Sequence, residues 1–423
     1  MARIRPFKGI RYDRAKVGSL DAVAAPPYDV ISPEEEQRYY AQHPSNVIRL
    51  ILPKANGSKY ENAAECLDDW LSAGILTQDK EPCLYACEEE FEVGGRRKKR
   101  LGFTCLVRLE DYESRTVLPH ENVLAGPRED RLHLIRATRA NFDSVFGLHA
   151  DGRVEKILRL FLAGLPDASA VDKDGVRTNV WRISDTEAIE AAAQILADEP
   201  IVIADGHHRY SAALAYRDEV RARTKVPDPD APHEYVMMTL VSLEDDGLMV
   251  LPTHRLVRNL GNLHAAAFTS RLGEFFEIRE SADRLMETVA SAGGHVLGMH
   301  LSGKSYILRL RPESAIDTPG SDALKRLDVS VLHSLILEKL LGIGEHNLSA
   351  QSHLSYTRDH GEALRSVDRG EYQIAFLMNG PEVEEIRAVA AAGDRMPQKS
   401  TFFYPKLLTG LVMRVMPRLV ASC

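Results

Sequence analysis

The stretch PIVIADGHHRYSAALAYRDEV, from Pro200, constrains the fold more than any other part of the chain. Ile201 to Ala204 form a short unbroken apolar run, the pattern of a buried strand. Asp205 is a good helix N-cap, and Gly206 permits a sharp strand-to-helix turn. From His207 onward, Tyr210, Ala213, Leu214 and Arg217 fall at helical spacing. A strand that enters a helix through one glycine belongs in an α/β protein.

Helical and strand-like patterns alternate along the rest of the chain. RIRPFKGI near the start and NVIRLIL at 46–52 read as strands. Ser32-Pro33-Glu34-Glu35 reads as a capping box with Pro at the first helical position, and Ser184-Asp185-Thr186-Glu187 as a second box. Residues 83–110 predict a hairpin turning at Gly94-Gly95. The basic run Arg96 to Arg100 then sits opposite Glu88, Glu89, Glu90 and Glu92, so cross-strand pairing explains it better than nucleic acid does. KVPDPDAP at 225–232 predicts a loop after a helix ending near Arg223, and YVMMTLVSL a buried strand. Beyond residue 250, HVLGMHL, SYILRLR and YQIAFLMN read as strands. DVSVLHSLILEKLLGI, 359–369 and 381–392 read as helices. The division expected is 1–250 and 251–423, a mixed α/β (α+β) arrangement of two sections.

At 423 residues the chain is long enough for two or three domains with sizeable cores. A net charge of −8 argues against broad binding to a nucleic-acid backbone but allows a local basic pocket. No apolar stretch approaches the roughly 20 residues of a membrane span. The N-terminus lacks the apolar run of a signal peptide. Five cysteines (Cys66, Cys83, Cys87, Cys105 and Cys423) form no CxxC pair, so reduced thiols in a cytoplasmic protein are expected, with Cys83, Cys87 and Cys105 in strands.

The chemistry concentrates at the turn after Ala204. The first turn of the predicted helix presents the free N–H groups of Gly206, His207, His208 and Arg209. Such an end favours an anion by about 0.3–1 kcal/mol. The same field disfavours Arg209 there unless an anion sits in front of it, and a charge-assisted Arg–phosphate contact adds roughly 1.5–3 kcal/mol. His207 and His208 can donate hydrogen bonds or move protons near neutral pH. The plain alternative is a packed strand–glycine–helix turn whose histidines merely cap.

Other stretches supply candidates. Pro26-Pro27-Tyr28-Asp29 reads as a rigid extended loop that could aim Asp29 into a cleft, or as a structural turn. LPHENVLAGPREDRL reads as a loop with the acid–base pair His120 and Glu121, followed by Arg128, Asp130 and Arg131. A salt-bridged surface segment explains its arginines equally well. Lys399, Ser400, Thr401 and Lys406 suit a phosphate or carboxylate, although Phe402, Phe403 and Tyr404 could anchor a tail instead. LPTHR places His254 and Arg255 at the end of an apparent strand. The Walker motif GxxxxGK[ST] is absent.

IADGHHRYSAALAY resembles the Gly-x-x-Arg helix start of the ParB/sulfiredoxin-like superfamily, whose members hold nucleotide phosphates with this turn. The Asp-Gly-His form is most similar to that of the free-serine kinases. Over nearly its whole length the chain resembles the bacterial and archaeal family catalogued as domain of unknown function 1015. The matching stretches are PPYDVIS, NVIRLILP, GFTCLVRLEDYESRTVLPHENVLAGPREDRL, ADGHHRY, LPTHRL and MPQKSTFFYPKLLTGLV.

These resemblances imply a ParB/sulfiredoxin-like nucleotide-binding core over 1–250 and carry a phosphate role to Gly206, His208 and Arg209. The function expected is a kinase using ATP or ADP with Mg²⁺ to phosphorylate a small hydroxyl metabolite, serine being the specific choice. Asp29, Glu121, His120 or Asp205 would act as base or metal ligand. His207, Arg128, Arg131, Lys399, Ser400 and Thr401 would complete a phosphate pocket. The alternatives are a nucleotide-binding regulatory protein without turnover, and a phosphatase or phosphodiester hydrolase. The expected partners are a nucleotide and a small anionic or hydroxylated metabolite, with no nucleic acid and no membrane.

Overall fold

The computed structural model describes residues 2–417 except 55–56, 225, 227, 282–283, 315, 317–318 and 345–351. Cys423 and part of the proline-rich 225–232 stretch lie outside the described residues. The chain forms two units. Unit 1 comprises Met1–Pro119, Val123–Leu248 and Pro405–Cys423, and unit 2 comprises His120–Asn122 and Met249–Tyr404. The tail after Tyr404 is therefore not the end of a second section. Arg414–Val415 pairs with Ala140–Asn141, and Thr409 bridges Ala25, so backbone hydrogen bonds hold the tail in unit 1.

Among the described residues, unit 1 builds a mixed sheet of nine strands: β1 (Ile4–Arg5), β2 (Leu84–Val93), β3 (Arg96–Arg108), β4 (Val117–Leu118), β5 (Val145–His149), β6 (Ala168–Val171), β7 (Arg177–Ile183), β8 (Ile201–Asp205) and β9 (Tyr235–Ser242). Their order is β4-β8-β5-β9-β3-β2-β7-β6, with β1 also on β3. β9 runs parallel to β5, and β8 runs antiparallel to it. The β2–β3 hairpin turns at Gly94 and Gly95, with φ of 57° and 74°, as a two-residue turn matching strand twist requires. Behind it Lys99 pairs with Glu88 and Glu90, and Arg100 with Glu89.

Successive residues of a strand face opposite sides, and the two sides make separate cores. Val236, Met238 and Leu240 pack with residues of α4 (Thr186–Leu196) and α5 (His207–Arg223). Tyr235 and Met237 pack with Ala63, Leu67 and Trp70 of α2 (Lys59–Ser72).

α1 (Pro33–Gln42) opens on the expected capping box: Ser32 Oγ accepts from the Glu35 N–H at 3.2 Å, and Glu35 Oε2 from the Ser32 N–H at 3.0 Å. α4 starts one residue later than expected. Asp185 is its N-cap and accepts from the Ala188 N–H at 2.8 Å. NVIRLIL is not a strand. Asn46 Oδ1 accepts from the Ile48 N–H at 2.9 Å, and that local bond starts the short helix Ile48–Ile51. Its apolar run fits either structure, because Val47, Ile48, Leu50 and Ile51 are all buried.

Unit 2 has an antiparallel sheet of β11 (His254–Val257), β12 (Phe276–Ser281), β13 (Val296–Leu301), β14 (Lys304–Leu310), β15 (Leu354–Thr357) and β16 (Ile374–Leu377), in the order β12-β14-β13-β16-β11-β15. β10 (Met249–Val250) and β17 (Phe403–Tyr404) form a small ribbon. His254 and Arg255 open β11 rather than ending it. The helix expected from Asp328 is α-helical only to Val331 and π-wound over Leu332–Leu340. α6 (His360–Asp368) and α7 (Val383–Ala392) lie where expected. Among the described residues no helix is long and apolar enough to cross a membrane.

Candidate functional site

β8 ends at Asp205, and α3 (Ala125–Thr138) and α5 border the same region of unit 1. Gly206, at φ 88° and ψ 28°, is the N-cap of α5 and has no side chain with which to cap it. Asp205 is therefore not the cap. It is the last residue of the strand, and its carboxylate turns to two cations. Asp205 Oδ2 lies 3.3 Å from Arg209 Nη2 and 3.3 Å from Lys406 Nζ. Burial opposes its ionisation, but Lys406 and Arg209 outweigh burial and hold the carboxyl well below the usual range.

Arg209 is largely buried. Its Nη1 donates to the Ser144 carbonyl and its Nη2 to Asp205, while its Nε has no hydrogen-bond partner. A Cβ built on Gly206 would stand 2.9 Å from Arg209 Cζ and Nε. Gly206 thus serves twice, adopting the left-handed backbone and leaving room for the guanidinium. The anion that faces Arg209 within the chain is Asp205.

Three further groups act electrostatically on Arg209: Asp143, Asp29 and Tyr28. Burial pushes the Asp143 carboxyl up against the opposing pull of Arg209, and Thr409 Oγ1 donates to Asp143 Oδ1 at 2.6 Å. Burial likewise pushes the Tyr28 phenol well up. Asp29 sits in the 3₁₀ turn Tyr28–Val30, not in an extended loop. Pro27 precedes that turn, a compatible place for its fixed φ.

LPHENVLAGPREDRL is not a loop throughout, because α3 begins at Ala125 and carries Arg128, Asp130 and Arg131. The Arg131 guanidinium lies 3.9 Å from the Tyr28 ring centroid and donates to the Ile51 carbonyl at 2.9 Å. Its Nε donates to Asp130 Oδ2 at 2.9 Å. Burial would raise the Asp130 carboxyl, but Arg131, Lys59 and Tyr60 hold it down to about 2. Arg128 is half-buried, and its Nε has no hydrogen-bond partner. A cavity of about 30 Å³, room for one water, is bordered by Arg131, Asp143 and Arg209. His208 Nε2 accepts from the Leu124 N–H at 3.0 Å, which fixes the entrance to α3, and His207 is buried.

The remaining candidates belong to unit 2. His120 Nε2 lies 2.9 Å from Thr401 Oγ1, and Thr401 Oγ1 donates to Glu121 Oε1 at 3.2 Å. Ser400 Oγ donates to the Pro397 carbonyl. Lys399, at φ 56°, offers its carbonyl to Arg255 Nη2 at 3.1 Å. Arg255 is buried, and burial pushes its guanidinium down to about 10. Burial also pushes His254 down to about 4 and His333 to about 3, so both are neutral at pH 7. Among the described residues no group of three or more His, Cys, Asp or Glu side chains could hold a metal ion.

Asp143, Thr409 and His333 carried no sequence signal. Asp143 and Thr409 are 266 residues apart in sequence, and only the returning tail brings them together.

The family described as "Protein of unknown function (DUF1015)" matches residues 4–330. No curated protein matches the chain. A conserved hypothetical protein from Pyrococcus furiosus is similar in structure, with 15% identity, a TM-score of 0.35, and coverage of 69% of this chain and 89% of that one. A free serine kinase in complex with AMP gives 16% identity, a TM-score of 0.35, and coverage of 68% and 83%. C-terminally truncated SbnI from Staphylococcus aureus gives 11% identity, a TM-score of 0.34, and coverage of 73% and 86%.

Proposed function

The chain belongs to the DUF1015 family, and from that premise we propose that it is a nucleotide-dependent phosphotransferase acting on a small hydroxyl metabolite. The observation that carries this reading is the start of α5, where the left-handed Gly206 leads into Arg209 in the first turn and Asp205 holds Arg209 and Lys406 together. A helix start next to two cations suits the phosphates of ATP or ADP. Arg209 is held in place by Ser144 and Asp205, so its position is fixed before any nucleotide arrives.

Asp205 is committed to two cations and is a poor base. Asp29, in the Tyr28–Val30 turn near Arg209, is the better one. In the proposed step the acceptor oxygen attacks the terminal phosphorus. The bond from that phosphorus to the nucleotide's bridging oxygen breaks, and the acceptor proton passes to Asp29. Mg²⁺ bound to nucleotide phosphates needs only one or two protein carboxylates. Asp143 would supply one carboxylate, and the ion would neutralise phosphate charge. Serine is the acceptor favoured by the resemblance of IADGHHRYSAALAY to the free-serine kinases. The His120–Thr401–Glu121 chain is a second acid–base group, within unit 2.

The test incubates the full chain with ATP or ADP, Mg²⁺ and L-serine and measures phosphoserine. Arg209→Ala is expected to weaken nucleotide binding by about 10-fold or more. Asp29→Asn is expected to abolish turnover while nucleotide still raises Tm. A nucleotide-induced rise in Tm without turnover on a panel of hydroxyl metabolites would instead identify a nucleotide-binding regulator.

A further inference from the structure

We propose that unit 1 carries a second ligand site, at the opposite end of its sheet from Gly206, which takes a small phosphorylated molecule bearing hydroxyl groups. The topology separates the two places. Asp205 of β8 pairs with Phe146 near the start of β5, whereas β5 ends at His149, which pairs with Ser242 at the end of β9. Three residues of strand put them roughly 10 Å apart along the sheet. β3 runs antiparallel to β9, so its basic beginning lies at this same end.

A cleft of about 640 Å³ opens there, a size that suits a small metabolite. Its walls carry Arg96, Arg97, Lys98, Lys156 and Arg159. Lys99 and Arg100 spend their charge on Glu88, Glu90 and Glu89, whereas the hairpin sets Lys98 opposite Phe91, Arg96 opposite Val93, and Arg97 opposite Glu92. Among the described residues none of the five forms an ion pair, and Lys98 donates only to the Asp246 carbonyl. Five cations without carboxylate partners on one cleft is unusual in a chain of net charge −8.

The floor supplies the second half of the argument. Glu155 lines the cleft, yet its side chain is only 8% exposed. Its Oε1 accepts from the Ser242 N–H at 3.1 Å, while Oε2 has no hydrogen-bond partner. His149 is fully buried beside it, with Nε2 at 3.1 Å from Glu155 Oε1 but outside hydrogen-bonding geometry. A buried carboxylate oxygen without a donor is costly, and a ligand hydroxyl would relieve it. Phosphate on the cationic wall and hydroxyl on Glu155 define the ligand class. A long polyanion fits poorly, because Glu244, Asp245 and Asp246 also line the cleft and no aromatic ring there offers a stacking surface.

Calorimetry on the full chain, with pyrophosphate, fructose 1,6-bisphosphate and a short RNA oligonucleotide as separate probes, tests the site. The expected result is binding of both phosphates, with the hydroxylated bisphosphate tighter. Lys156→Ala with Arg159→Ala, both at exposed positions, is expected to weaken both by at least about 10-fold. Glu155→Gln is expected to narrow the gap between them. The proposal is overturned if neither phosphate binds, if the double variant binds as well as the parent, or if only RNA binds. It is also overturned if Arg209→Ala abolishes binding, since the probes would then occupy the other end of the sheet.

Discussion

Substituting Gly206 with alanine should separate backbone strain from side-chain displacement at the candidate site. Gly206 has φ 88°, and an L-residue there costs about 1–2 kcal/mol more than glycine. The new Cβ would also stand 2.9 Å from Arg209 Cζ and Nε, closer than non-bonded carbon allows. The guanidinium must shift, which strains its bonds to Ser144 and Asp205. Hydrogen bonds of charged groups are worth about 1.5–3 kcal/mol each, so weakening them adds roughly 1–3 kcal/mol. The total is about 2–5 kcal/mol. At about 2–4 °C per kcal/mol for a domain of this size, Tm should fall by at least about 4 °C. In an Arg209→Ala background only the backbone strain remains, so Gly206→Ala should cost about 1–2 kcal/mol there. Urea unfolding of the four proteins in the cycle measures the difference, which should be about 1–3 kcal/mol. Equal losses in both backgrounds would refute the contact. No loss in either would refute the need for glycine at the turn.

Arg100→Met alone should destabilise unit 1 by about 3–5 kcal/mol, because Glu89 is left buried and unpaired; urea unfolding should show Arg100→Met with Glu89→Leu recovering much of that loss. Asp130 has its carboxyl lowered in the folded state to about 2 from an ordinary 3.8, so its stabilisation is complete above about pH 4 and disappears as pH falls through 2. Asp130→Asn should therefore lower Tm at pH 7, with the gap to the parent closing between pH 4 and pH 2. His295 has the opposite sign. The Asp328 hydrogen bond at 2.8 Å raises its pKa above 6.5, so the stability it gives is present below pH 6.5 and is lost as pH rises past the raised value. Asp328→Asn should remove that pH dependence from the unfolding of unit 2.

Much of the fold was legible because it depends on local rules. The Ser32 box, the Gly94-Gly95 hairpin and the strand at Tyr235–Ser242 each follow from a pattern that needs no distant partner. Failures came where two local solutions compete. NVIRLIL is apolar enough for a strand, but Asn46 diverts it into a helix. Asp205 could cap α5, but two cations hold its carboxylate elsewhere. LPHENVLAGPREDRL reads as loop, since the N-cap of α3 is Leu124, a residue without a capping side chain.

The sequence by itself determined that strands and helices alternate, that a glycine joins β8 to α5, and that arginine and histidine follow it in the first turn. Those facts depend on backbone conformation and side-chain periodicity, which neighbouring residues impose. The tertiary structure decided what Arg209 faces. Asp143, Tyr28, Thr409 and Lys406 come from segments far apart in the chain, and the returning tail supplies the last two. The same holds for Arg96, Lys156 and Glu155. Their shared cleft depends on the direction of β5, β9 and β3 across the sheet, a long-range property that no local pattern encodes.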